Sequence, residues 1–102
     1  MTTDRYSFGW ALKNLQYGSR VRRAEWRDND VWLAYSPGAD ALPAAGFWAG
    51  PNRDYAAATG GTARVQPCIT QKRKDGSIMM GWTPTTAELF ALDWEVVSDD
   101  HA

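Results

Sequence analysis

Six tryptophans in a chain of 102 residues, Trp10, Trp26, Trp32, Trp48, Trp82 and Trp94, constrain the fold more than any other feature. A domain of this size buries only about two thirds of the surface its unfolded chain exposes, so each large aromatic supplies a sizeable part of the core. An indole is costly to bury whole because its N–H needs a partner. Two or three of the six are therefore expected to fill the core. The others are expected to stand half-exposed, available to stack on a planar ligand or on another subunit.

The stretch "WTPTTAELFALDW", from Trp82 to Trp94, carries the sharpest local signal. Thr85 and Glu88 have the spacing of a capping box, and Pro84 sits just before the cap, where a missing N–H costs least. A turn or two of helix follows, and "DWEVV" alternates as a last strand on which Trp94 is the better core candidate. Near the other end, Ser7 is a good N-cap, and Phe8, Ala11, Leu12 and Leu15 recur at helical spacing until Gly18 stops them. "SRVRRAEW" alternates as a first strand running to Trp26, "RDND" is a turn, and "VWLAY" is a second strand. "VQPCITQKRKDGSIMMGW" reads as two strands around Asp75-Gly76, with Pro67 pushing the first toward a sheet edge or a bulge.

Prolines and glycines interrupt the alanine-rich segment from Ser36 to Arg64, which specifies no regular element and has the length of a lid or an interface arm. The expectation is a single α+β domain spanning 1–102. In it, an N-terminal helix packs on a mostly antiparallel five-stranded sheet, with a short second helix before the last strand. A long irregular central loop covers 36–64 and a flexible tail covers 98–102.

Hydrophobic content of 44% with 23% charge is the balance of a globular fold. Eleven basic against twelve acidic side chains leave a net charge of -1, so no global field recruits DNA or an anionic membrane. No apolar stretch approaches a membrane span and "MTTDRYS" lacks the apolar core of a signal peptide, so a cytoplasmic location is expected. One cysteine, Cys68, and one histidine, His101, exclude an internal disulfide and a zinc site of Cys and His ligands. Cys68 reads as a small buried hydrophobe. His101 lies too near the C-terminus for a fixed base, "TGG" lacks the lysine and spacing of a P-loop, and capping already explains Glu88. No enzyme and no cofactor is expected.

A binding site is easier to assemble. The amides that start the helix after Thr85 suit an oxyanion, Thr85 and Thr86 add hydroxyls, and Trp82 lies immediately before them, so one segment offers a stacking plane beside phosphate donors. The ordinary alternative is a core tryptophan followed by a capped helix.

The layout "SFGWALKNLQYGSRVRRAEW", then "VWLAYSPG" and finally "KDGSIMMGWTPTTAELFALDWEVV", resembles the Thoeris anti-defence 2 proteins, over roughly residues 7 to 38 and 65 to 97. The resemblance implies a phage sponge that binds a cyclic ADP-ribose type signal, such as glycocyclic ADP-ribose, and holds it uncleaved in the cytoplasm of the infected bacterial host. It also implies a homotetramer with pockets between subunits, and cyclic di- or trinucleotides as further ligands at a separate site. On this resemblance Trp26 and Trp32 are adenine-stacking candidates, and Trp82, Thr85, Thr86 and Glu88 occupy the site before and within the short helix. Asn29 in the turn joins the set, and Arg22 and Arg23 are candidate phosphate partners. Two other readings stand beside it. One is an accessory protein that binds a protein partner through exposed tryptophans and the central loop, and the other is a hydrolase of cyclic nucleotides.

Overall fold

A computed structural model describes residues 6–98. In chain order its elements are α1 (Phe8–Gln16), β1 (Val21–Arg23), a 3₁₀ turn (Ala24–Asn29), β2 (Trp32–Ser36), β3 (Ala39–Pro43), a second 3₁₀ turn (Ala44–Gly46), α2 (Gly50–Ala58), β4 (Thr62–Val65), β5 (Cys68–Lys72), β6 (Ile78–Met80), α3 (Thr86–Phe90) and β7 (Trp94–Val96). They group into two compact units, one built from residues up to Ser36 and from Cys68 onward, the other from Pro37–Pro67. The expected tail beyond Ser98, with His101, lies outside the described residues.

The first unit is a five-stranded sheet in the order β6-β5-β2-β1-β7, with every neighbouring pair antiparallel. The α+β expectation of an N-terminal helix, a five-stranded antiparallel sheet and a short helix before the last strand holds. Ser7 caps α1 as its sequence predicts, accepting from the Trp10 amide at 3.1 Å. Ala11 and Leu15 of α1 are fully buried with Val21 and Leu33, which sit opposite each other on β1 and β2 and so share the sheet face beneath the helix. Trp82 and Trp94 complete this core, and Phe8, Trp10, Trp26 and Ile69 pack around it.

Three local expectations are corrected. The first strand ends at Arg23, and the chain then coils through a 3₁₀ turn that closes with Asp30 in the left-handed region at φ 54°. Trp26 consequently leaves the sheet and folds back onto the core. Pro67 does not push its strand to an edge, because β5 begins one residue later, at Cys68, and lies between β2 and β6 with its amides free to pair on both sides. Cys68 is half-buried rather than buried.

The second unit replaces the irregular loop expected over 36–64. Its strands β3 and β4 pair antiparallel, with Leu42 opposite Ala63 and a bulge before that pair. Two of the residues that read as loop punctuation, Pro51 and Gly61, act instead as helix start and stop signals. Pro51 occupies the first turn of α2, and beyond its end Gly61, at φ 88°, donates its amide to the Ala56 carbonyl at 2.8 Å. Arg53 bonds the carbonyls of Phe47 and Trp48 at 3.1 and 3.0 Å, tying the segment before α2 to the helix. Gly38 is required where it stands. At φ 75°, any Cβ there would lie 2.2 Å from the Val65 carbonyl oxygen.

Candidate functional site

Three indoles meet nearly at right angles. Trp26 lies 5.3 Å from Trp94 with an interplanar angle of 83° and 6.4 Å from Trp82, also at 83°, while Trp82 and Trp94 are 6.3 Å apart at 80°. Edge-to-face packing of this kind puts the positive edge of one ring against the negative face of the next. Phe8 of α1 joins the cluster, 5.3 Å from Trp94 and 6.3 Å from Trp82. Trp94 is fully buried, as its alternation on β7 predicts. Trp82 is only 6% exposed, which corrects the expectation that it stands open at the mouth of an anion site. Its amide donates to the Ile69 carbonyl at 2.8 Å, which continues the pairing beside β5 and draws the ring inward. Trp26 is the half-buried member of the three.

Beside Trp26 lies a cleft of about 260 Å³ lined by Trp26, Asn29, Val31, Gln71, Arg73, Lys74 and Glu88. The 3₁₀ turn supplies Trp26 and Asn29, and α3 supplies Glu88. The end of β5 and the turn after it supply the other polar side chains. That turn is well fixed, with the Arg73 amide bonded to the Ser77 carbonyl at 2.8 Å and the Gly76 amide to the Arg73 carbonyl at 2.9 Å. Arg73 Nη1 also donates to Gln71 Oε1 at 3.1 Å. The arrangement brings an indole, two cations, two amides and a carboxylate to one place.

Three expected site residues, Trp26, Asn29 and Glu88, therefore meet, and the remaining six do not line this cleft. Thr85 and Glu88 form the capping box. The Glu88 amide donates to Thr85 Oγ1 at 3.2 Å, and Glu88 Oε1 accepts from the Thr85 amide at 2.7 Å. That carboxylate occupies the start of α3, so the oxyanion expected over those amides would meet a like charge, with Thr86 exposed alongside. Arg22 pairs with Glu95 at 2.8 Å, and Arg23 pairs with Asp93 and, at 3.4 Å, with Glu25. Both of these arginines thus have carboxylate partners within the fold. Trp32 follows the opposite alternation from buried Leu33, and its ring is covered by the Arg20 guanidinium at 5.0 Å.

Reasoning from sequence missed Gln71, Arg73 and Lys74. The signal available was the basic run "QKRKDG", which reads first as a hairpin. On the sheet face that carries Arg22, Arg27 also pairs with Glu95, and these two hydrogen-bonded guanidiniums hold the Glu95 carboxyl down at about 2, Arg27 contributing more than Arg22. A second cleft, about 350 Å³, is lined by Ser7, Gly9, Trp10 and Lys13 at the start of α1 and contains none of the expected site residues. Among the described residues no group of His, Cys, Asp or Glu could hold a metal ion, and no helix is long and apolar enough to cross a membrane.

A helix on an antiparallel sheet, with a cleft that an indole and two cations line, defines a small α+β domain with a polar recess. The pattern of the Thoeris anti-defense 2-like domain matches residues 6–97, and the chain belongs to that family. The match runs through the central segment that the resemblance at the two ends had left out. No curated protein matches the chain. Membership supports an anti-defense role directed at Thoeris.

Proposed function

We propose that the protein binds a nucleotide-derived immune signal, a cyclic ADP-ribose isomer such as glycocyclic ADP-ribose, and holds it uncleaved, thereby blocking Thoeris immunity in the cytoplasm of the infected host. The observation that carries this reading is the cleft, where half-buried Trp26 stands beside Arg73 and Lys74. An aromatic face for a base and cations for phosphate are the two elements a nucleotide needs, and a stacked base contributes about 1–3 kcal/mol. Glu88, its carboxylate engaged in the cap, is poorly placed to serve as a general base. The volume of about 260 Å³ falls below the ~300–1,000 Å³ usual for small-molecule sites, which favours a pocket completed by a second copy within a homotetramer.

The test is to incubate the protein with a cyclic ADP-ribose isomer, remove unbound ligand, and denature. Intact ligand released on heating supports a sponge, altered ligand means a hydrolase, and no uptake sinks both. Cyclic di- and trinucleotides go through the same assay, and light scattering at micromolar concentration that returns a monomer would defeat the tetramer.

A second reading draws on the Pro37–Pro67 unit, in which Trp48 is 87% exposed and Tyr55 63%. Trp and Tyr are enriched where proteins bind one another, so these two side chains are candidates for contact with a partner. Under that reading Trp48→Ala abolishes anti-defense activity in infected cells while ligand uptake is unchanged.

A further inference from the structure

Gln71 is only 9% exposed, yet its side chain lines the cleft. It pairs with Leu33 on β2 and Met79 on β6, so it is a polar residue set among apolar neighbours on the core face of the sheet. A glutamine amide has an oxygen to accept with and two N–H groups to donate. Arg73 Nη1 donates to this amide at 3.1 Å, and a guanidinium has no acceptor, so the atom facing it must be the oxygen. The NH2 group is thereby turned away from Arg73. Among the described residues it has no protein acceptor. Nor, among the described residues, is any sealed side-chain nitrogen or oxygen left without a partner, so this NH2 reaches the surface, and the surface that Gln71 lines is the cleft.

Into the cleft, the end of β5 and the residues just after it therefore present three donors, the Gln71 NH2, the Arg73 guanidinium and the Lys74 ammonium, while Glu88 of α3 supplies the one carboxylate of the lining. The edge of a purine base mixes donors and acceptors and would set its own N–H groups against these donors. A phosphate presents acceptors alone. We propose that Gln71 is a specificity-determining residue whose side-chain NH2 binds a phosphate oxygen of the cleft's ligand, next to Arg73 and Lys74. The proposal rests on the reading of the cleft as a nucleotide site, and it moves the anion subsite from the start of α3 to the end of β5.

Titration calorimetry of the full chain with glycocyclic ADP-ribose tests it, with thermal melts alongside. Gln71→Met keeps the length of the side chain and removes the donor. Gln71→Glu keeps an acceptor for Arg73 and adds a repelling charge. The expected result is a melt like the parent's in both, with affinity lower by about tenfold in the first and about a hundredfold in the second. Parent-like affinity in Gln71→Met would overturn the proposal.

A measurement on the unaltered protein needs neither variant to fold. The chain has three glutamines, Gln16, Gln66 and Gln71, so the Gln71 side-chain NH2 resonances are readily assigned. They should shift on addition of inorganic pyrophosphate, and a static signal at saturation sinks the idea. Failure of the parent to bind glycocyclic ADP-ribose would instead defeat the nucleotide reading, while the pyrophosphate titration still reports on Gln71.

Discussion

The indole N–H of Trp94 donates to the main-chain carbonyl of Glu88 at 3.0 Å. One contact thus satisfies the polar atom of the largest fully buried side chain and anchors the residue whose side chain both caps α3 and lines the cleft. Trp94→Phe deletes that donor, keeps most of the packing, and should cost about 1–3 kcal/mol because the carbonyl loses its partner. Trp94→Ala adds a cavity and should cost about 3–5 kcal/mol. Thermal melts of the two variants check the order.

Trp82 and Trp26 should separate stability from binding. Trp82→Ala empties a buried site and should cost about 3–5 kcal/mol. Trp26→Ala should lower the melting temperature less and weaken ligand by about ten- to a hundredfold, the loss of one stacked base. Calorimetry and melts on both variants decide between them. A stable Trp82→Ala that no longer binds would mean that Trp82, after all, meets the ligand directly.

The capping box at Thr85 and Glu88 stabilises a helix of only five residues. Thr85→Ala should cost about 1 kcal/mol, and Thr85→Ser far less, since serine keeps the accepting oxygen. Chemical denaturation read as a shift of midpoint at constant slope measures the difference.

Glu95 sets the acid limit of the sheet edge. Its carboxyl is held at about 2 against an ordinary 4.5 by its bonds to Arg27 and Arg22. A depressed carboxyl contributes stability that is fully present above about 4.5 and is lost as pH falls toward about 2. Glu95→Gln should therefore flatten the fall in melting temperature over that window and leave a deficit on the order of 1 kcal/mol at neutral pH. Salt should narrow the deficit, because Arg27 stands largely in solvent. An unchanged acid profile would show that the triad contributes nothing.

What could be read from the chain follows the range of the physics. Ser7, the Thr85–Glu88 pair and the Asp75-Gly76 turn are contacts within a few residues, and each stands where its spacing put it. Trp82 could not be placed that way, because an indole beside a helix start looks the same whether it points in or out. Only Phe8, Trp26 and Trp94, remote in sequence, decide its direction. The cleft is harder still, since it draws on residues 26–31, 71–74 and 88. The Pro37–Pro67 segment misled for another reason. Its Pro51 and Gly61 punctuate a helix, yet the same residues also punctuate loops.

Ser36 and Cys68 are register partners across β2 and β5, so the polypeptide leaves the sheet and returns to it at the same rung of one ladder. The sheet's register is therefore indifferent to how many residues lie between them. A two-residue hairpin turn could stand in for the whole of Pro37–Pro67, and the gene could be opened there to give a circular permutant with new ends. Such an exchange at Ser36 and Cys68 would leave the pairing of β2 with β5 as it stands.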